Sequence, residues 1–219
     1  MKSSLRRHLY ELIFPESCPI CRKKSNWEVS PFCKECWLSI EKFSCHKITT
    51  GKFDKEFWRY IKSLHSFGSY EGTLKEAIHY FKYEKIKRLG KELGKLMCQI
   101  PLINIDILIP VPLTKNKLLQ RGFNQSAILT NYLSKCWNKP LNLVTLFKIK
   151  DTLEQASLEA KYRTYNVKDA YNVIHSLRDL RIGLVDDVVT TGATLTECAK
   201  LLKKAGAKEI HAITLARAI

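Results

Sequence analysis

The chain has 219 residues, of which 45% are hydrophobic and 26% charged, with 37 lysines and arginines against 21 acids and a formal net charge of +16. That composition suits one α/β domain with a small appendage and excludes a disordered chain. No apolar run approaches the ~20 residues of a bilayer-crossing helix. The positive field attracts polyanions without naming one: nucleic acid, anionic lipid and phosphorylated small molecules all qualify.

The N-terminus reads as an amphipathic helix over Ser3–Phe14. Glu11 interrupts its basic start, and Leu12-Ile13-Phe14 is too short for a signal peptide's apolar core. A cytoplasmic protein is expected. Two C-x-x-C pairs follow, Cys18-Pro-Ile-Cys21 and Cys33-Lys-Glu-Cys36, separated by eleven residues. Each pair can bite one ion, and together they complete a tetrahedral Cys₄ shell for structural Zn²⁺ with no open position for catalysis. Cys45-His46 could compete as a ligand. A redox dithiol needs only one pair. Arg22, Lys23, Lys24 and Trp27 give this module a basic, aromatic surface. A linker over Thr49–Asp54 separates a metal module at 1–50 from a second domain at 51–219.

Beyond the linker, strand and helix patterns alternate. His65–Tyr70 predicts a strand, and Thr73–Tyr83 and Ile86–Ile100 predict helices with apolar 3–4 spacing. The run His79, Tyr80, Lys82, Tyr83, Lys85, Lys87 and Arg88 mixes aromatics with cations, as sequence-tolerant single-strand binding requires. Equally, such aromatics can be core and such charges a solvated face. Asp106–Pro110 reads as a buried parallel strand. Asn124–Trp137 reads as a helix with Ala127, Ile128, Tyr132 and Leu133 inward, and Leu143–Phe147 as a strand. Arg181–Val185 is a buried strand, Leu195–Ala205 a helix closed by Gly206, and Glu209–Ala216 a last strand. Cys98, Cys136 and Cys198 fall on apolar helix faces and read as core. The alternation predicts an α/β fold with a doubly wound, mostly parallel sheet.

The most informative segment is Ile182-Gly-Leu-Val-Asp186-Asp187-Val188-Val189-Thr190-Thr191-Gly192-Ala193-Thr194-Leu195. A buried strand ends in two acids, a Thr/Gly loop follows, and a helix begins. Ligands of open α/β sheets bind at strand carboxyl ends. A loop entering a helix offers unpaired N–H groups to a phosphate. Acids beside a phosphate make sense if that phosphate belongs to a sugar. Asp186 and Asp187 can then accept hydrogen bonds from ribose hydroxyls or help hold a metal ion. The plainer reading is a strand-end cap and an ordinary turn.

This segment resembles the 5-phosphoribosyl-1-pyrophosphate (PRPP) signature of type I phosphoribosyltransferases. Together with the paired cysteines, Pro110-Val-Pro112, Arg121-Gly-Phe-Asn124-Gln125 and Gln155-Ala-Ser-Leu158…Arg163…Asn166…Ala170-Tyr171, it resembles the ComF family of competence proteins. The resemblance implies a role in natural transformation, in handling single-stranded DNA, with a competence helicase as partner. It implies that Val188–Thr194 hold the PRPP phosphate. Pro112, Leu113 and Lys115, with Lys117 nearby, would face pyrophosphate from a strand-to-helix loop. Arg121, in a mobile loop, would clamp the leaving group. Asp186, Asp187 and Arg121 form the catalytic set, with Mg²⁺ arriving with PRPP. Lysines at Lys148 and Lys150 replace common arginines and lose the planar fork. Three readings stay open: a transferase, a DNA-binding module with a vestigial or sensory PRPP pocket, and a transferase acting on a nucleobase or amine.

Overall fold

The computed structural model describes residues 17–25, 30–44, 47–49, 53–148 and 171–218. The expected N-terminal helix, Trp27, Cys45, His46, Lys150 and the motif residues from Gln155 to Ala170 lie outside them.

The elements run α1 (Lys34–Leu38), β1 (Lys47–Ile48), α2 (Lys55–Tyr60), β2 (Ser63–Ser69), α3 (Gly72–Lys82), α4 (Leu89–Met97), β3 (Ile107–Pro110), α5 (Lys115–Arg121), α6 (Gln125–Trp137), β4 (Leu146–Lys148), β5 (Tyr171–Val173), β6 (Arg181–Val189), α7 (Ala193–Lys204) and β7 (Glu209–Arg217). The main sheet has the order β1-β2-β7-β6-β3. Its pairs β2/β7, β7/β6 and β6/β3 are parallel, and only the short β1 is antiparallel. The doubly wound, mostly parallel sheet expected from the sequence is present.

Each face of the sheet has its own core. On one face, Leu74, Ile78 and Phe81 of α3, Leu93 and Met97 of α4 and Leu129 and Leu133 of α6 pack together. On the other, Phe57 of α2 and Leu195, Ala199 and Leu202 of α7 pack on Ile182 and Leu184 of β6. α6, the second helix after β3, therefore covers one face, and α7, the helix following β6, the other. A crevice opens between their strands at the carboxyl ends, where ligands of open sheets bind.

Several boundaries differ from the sequence pattern. β6 continues to Val189 because Val188 and Val189 keep pairing with Ala216 and Arg217 of β7. The two acids thus sit inside the strand. α4 starts at Leu89 rather than Ile86, since Lys85 adopts φ 55° and breaks the helix before it. Arg121 ends a helix instead of occupying a loop: Thr114 caps α5 by accepting the Lys117 N–H, and left-handed Gly122 closes it. β4 covers only Leu146–Lys148, and Leu143 and Val144 are exposed. Cys198 is buried as expected, whereas Cys98 is half-buried and Cys136 exposed on the last turn of α6.

α6 is also rotated from the expected face. Ser126, Leu129, Thr130, Leu133 and Trp137 are buried, while Ala127, Ile128 and Tyr132 are half-buried. Ile128 and Tyr132 turn toward α4, where Gly90 and Gly94 leave room for them. A Cβ on Gly90 would lie 2.6 Å from Ile128 Cγ2 and 3.1 Å from Phe81. Helix propensity favours alanine over glycine by roughly 0.5–1 kcal/mol, but overpacking against a stiff β-branched neighbour costs about 1–3 kcal/mol. Gly90→Ala is therefore expected to destabilise the protein by about 1 kcal/mol in urea denaturation. An unchanged or raised midpoint would show that the two helices have slack.

Candidate functional site

Two centres emerge from this frame. The first is the cysteine cluster. The sulfurs of Cys18, Cys21, Cys33 and Cys36 all lie within 4.8 Å of one another, so the four side chains could hold a metal ion. Cys18 and Cys33 are buried, and Cys33 caps the short α1 while accepting the Cys36 N–H. Burial opposes ionisation of Cys18, but backbone N–H groups of Cys21, Cys33 and Ile20 point at its sulfur and lower it to about 7. Thiolate-directed N–H groups around four converging sulfurs fit a closed metal shell.

The cluster does not stand apart from the rest. Phe32, Cys33 and Cys36 share the core of Leu74, Ala77 and Ile78. Phe32 meets Tyr80 edge-on at 5.7 Å, and Ser39 Oγ lies 3.3 Å from Thr73 Oγ1.

The second centre is a cleft of about 420 Å³ at the carboxyl ends of β2, β3 and β6, a size suited to a small ligand. Its floor is Asp186 and Asp187. Ser126 Oγ donates to Asp186 Oδ1 at 2.8 Å, and the Asp187 N–H donates to the same oxygen at 2.9 Å. Asp187 is 5% exposed, and Lys82 Nζ lies 2.7 Å from its Oδ2. Val188, Val189, Thr190, Gly192, Thr194 and Leu195 line the adjoining wall, whereas Thr191 and Ala193 lie outside the lining. Gly192 caps α7 at φ 81°, and a Cβ there would sit 2.6 Å from the Phe57 ring. Glycine is thus required both by the turn and by α2 packed beneath it.

The opposite wall comes from Val111, Pro112 and Leu113 after β3, with Lys117 and Arg121 of α5. Asn124 ties this wall together: it caps α6 and donates from Nδ2 to the Val111 carbonyl at 3.1 Å. Arg121 reaches Gln125 Oε1 at 3.4 Å and stacks over the Tyr83 ring at 5.1 Å. Lys115, expected at the pyrophosphate, is exposed outside the lining, and Lys117 takes that place. Sequence reasoning missed Gln125 and Ser126 as site residues, although their position straight after the Asn124 cap puts them in the first turn of a helix entering the cleft. Gln125 is 2% exposed, and its Nε2 has no hydrogen-bond partner among the described residues. Tyr70, Lys75, Lys148 and Tyr171 complete the lining; no local spacing marks them.

Among the residues proposed for nucleic acid, Lys82 turns into the cleft with its side chain 17% exposed. The others stay on the surface: Arg22, Lys24, Lys85, Lys87 and Arg88 are exposed, and Lys23 pairs with Glu35 at 2.5 Å. Arg22 of the first basic run lies near enough to Tyr80 of the second for its charge to be felt there, as are those of the nearby acids Glu84 and Glu76. Burial raises that phenol's proton affinity, and the nearby Arg22 charge pulls the other way. Tyr83, 42% exposed, meets the His79 ring at a tilt of 43°, 4.9 Å between centroids, at the mouth of the cleft.

The acids are electrostatically unequal. Burial, and then the charge of Asp187, push Asp186 up to about 7, against the pull of Lys82, Ser126 and the Asp187 N–H. At Asp187 the Lys82 ammonium occupies the place a divalent ion would take. The residues present therefore do not fit Mg²⁺ bound directly to this carboxylate.

A family model described as the phosphoribosyl transferase domain matches residues 119–219. Competence protein F of Haemophilus influenzae is 33% identical over 215 residues, covering 92% of this chain and 90% of that protein. DNA utilization protein YhgH of Salmonella typhimurium is 30% identical, with 92% and 90% covered. Competence protein ComFC of Bacillus subtilis is 27% identical, with 91% and 77% covered. The fold is of the phosphoribosyltransferase type, and no helix among the described residues is long and apolar enough to cross a membrane.

Two outcomes follow from this geometry. A carboxyl whose proton affinity rises on folding takes up a proton as the chain folds, so the fold loses stability as pH rises from the ordinary 3.8 through about 7. Denaturation of the unliganded protein at pH 5 and pH 8 is expected to show that loss, and Asp186→Asn is expected to reduce it; identical pH slopes in the two proteins would refute the assignment. Metal binding energy at such a cluster is folding energy. Chelation is expected to lower the melting midpoint of the whole chain, because the cluster shares its core; a calorimetric midpoint unmoved by chelator would contradict this.

Proposed function

The chain belongs to the competence protein F family, and we propose that it is a DNA-uptake factor acting on the cytoplasmic side, whose cleft binds PRPP and whose adjoining basic face binds single-stranded DNA. One observation carries the PRPP reading: a half-buried and a buried carboxylate and a Thr/Gly helix-entry loop stand side by side in one cleft, facing Lys117, Arg121 and the Gln125 Nε2, which has no partner among the described residues. The loop and the α7 N-terminus suit a 5-phosphate. The acids suit ribose hydroxyls. The cationic wall suits pyrophosphate, with Arg121 offering a planar two-donor fork. Mg²⁺ brought in by PRPP supplies charge neutralisation at the pyrophosphate. The four cysteines hold Zn²⁺ in a structural role, since a closed sulfur shell has no open position.

Arg22 of the first run lies near Tyr80 of the second, and Tyr83 offers an exposed ring beside the cleft. Cations flanking aromatic faces are the usual means of holding a single strand without reading its sequence.

A catalytic reading is favoured by Asp186. Its carboxylate, poised at about 7, can accept a proton near neutral pH. A nitrogen nucleophile would form a bond to ribose C1 while the C1–O bond to pyrophosphate breaks. The pyrophosphate leaves with the electron pair, and the nitrogen's proton passes to Asp186.

Calorimetric titration with Mg²⁺ and PRPP is expected to show binding that Asp187→Asn weakens at least about tenfold, as loss of a charged acceptor does. Single-stranded DNA binding is expected to fall steeply with salt, with a slope reduced by about one for each of Lys85, Lys87 and Arg88 replaced by glutamine. PRPP heat absent from the parent protein would end the pocket reading, and salt-insensitive DNA affinity would end the interface reading. Pyrophosphate release in the presence of an acceptor separates the catalytic reading from binding alone.

A further inference from the structure

Lys82 is a cation of the cleft to which the proposed phosphate contacts assign no role. It is the last residue of α3, and its side chain is enclosed. Its ammonium lies on Asp187 Oδ2 at 2.7 Å and also feels the charge of Asp186. The phosphate loop begins directly after these acids, and Lys117 and Arg121 stand on the other wall. Lys82 itself lines the cleft beside the two acids, so its ammonium and a bound ligand share the same cavity.

Adjacent buried carboxylates beside a sugar phosphate need a positive charge between them and the ligand. A bound divalent ion is the common solution. Here a tethered ammonium already holds that coordinate. A hard cation binding the same oxygen would have to displace Lys82 or sit within a few ångströms of a like charge, in surroundings that screen poorly. The four-carbon stem keeps the ammonium at the site without any metal in solution. With the ammonium on its Oδ2, the Asp187 carboxylate can still offer an oxygen to a ribose hydroxyl.

We propose that Lys82 is a built-in replacement for the divalent metal at the acid pair, so that ribose 5-phosphate monoesters bind this cleft without metal and any Mg²⁺ requirement belongs to the pyrophosphate alone. This rests on the PRPP reading of the cleft. It places Lys82 as a positioning residue that acts through Asp187.

The test is titration of the full chain with ribose 5-phosphate, which lacks the pyrophosphate, in chelator selective for Mg²⁺ over Zn²⁺ and again in millimolar Mg²⁺. The expected result is the same affinity in both, within about threefold, for the parent protein. PRPP is expected to bind more tightly with Mg²⁺. Lys82→Met is expected to weaken metal-free ribose 5-phosphate binding at least about tenfold, since it strips a buried carboxylate of its partner, and Mg²⁺ is then expected to recover part of the loss. Lys82→Arg keeps the charge and is expected to retain metal-free binding. Parent protein that binds ribose 5-phosphate only with Mg²⁺ overturns the proposal while leaving the PRPP reading intact, and this arm needs no variant to fold. Undiminished metal-free binding by folded Lys82→Met overturns it in the same way. Failure of ribose 5-phosphate and PRPP alike, with and without Mg²⁺, removes the PRPP reading and the proposal with it.

Discussion

Two carboxylates at consecutive positions of a strand, one buried and one half-buried, repel each other and are poorly solvated. An isolated charge in such a place would neutralise rather than persist. The structure keeps them by bringing one partner to each from a different helix: Ser126 from α6 to Asp186, and Lys82 from α3 to Asp187. This requirement reaches far into the fold. α6 and α3 must end at the cleft in fixed register, and they do so by packing through α4. Gly90 accepts both Ile128 of α6 and Phe81 of α3 against its bare Cα. The glycines of α4 thus serve the acids at a distance, by setting how closely three helices can lie on one face of the sheet.

The other face answers to the loop that follows the acids. Gly192 turns at positive φ with Phe57 beneath it, and Phe57 stacks on Phe53 at 4.4 Å. Asp54 starts α2 by accepting the Phe57 N–H at 2.8 Å, which fixes the ring under the loop. The helix-entry loop therefore rests on aromatic rings, and its N–H groups have a rigid base from which to meet an anion. Preorganisation of this kind is what lets backbone donors discriminate without rearranging.

Much of this was legible in the sequence. Arg181–Val185, Glu209–Ala216 and Thr73–Tyr83 announced themselves by apolar runs or helical spacing, and Asp186–Thr194 carried the two acids and the helix-entry loop of the cleft in one stretch. The rest depended on three-dimensional encounters. Lys82 looked like one more member of a solvated basic run, and nothing local distinguishes it from Lys85; only the end of α3 meeting the end of β6 makes it a buried counter-ion. Ile128 and Tyr132 satisfied a core pattern, yet the glycines of α4 drew them sideways, and smaller Ser126 and Thr130 took the sheet-facing positions. The extension of β6 through Val188 and Val189 was hidden because two acids look like a strand's end. β-branched residues pairing with a neighbouring strand outweighed that local signal.

The cysteine cluster enters the same network through α3. Phe32, one residue before Cys33, packs edge-on against Tyr80, and Ser39 at the close of α1 meets Thr73 at the start of α3. The cluster therefore braces α3 at both its first turn and its last, and the last residue of α3 is Lys82. A metal ion held by the four sulfurs would fix Phe32 and, through Tyr80, the end of the helix that places an ammonium on Asp187. The adjacent residue, Tyr83, carries the exposed ring at the mouth of the cleft. The cysteine cluster thus bears mechanically on both the acid pair within the cleft and the aromatic surface outside it, and Arg22 beside the cluster lies near Tyr80 on the helix it braces.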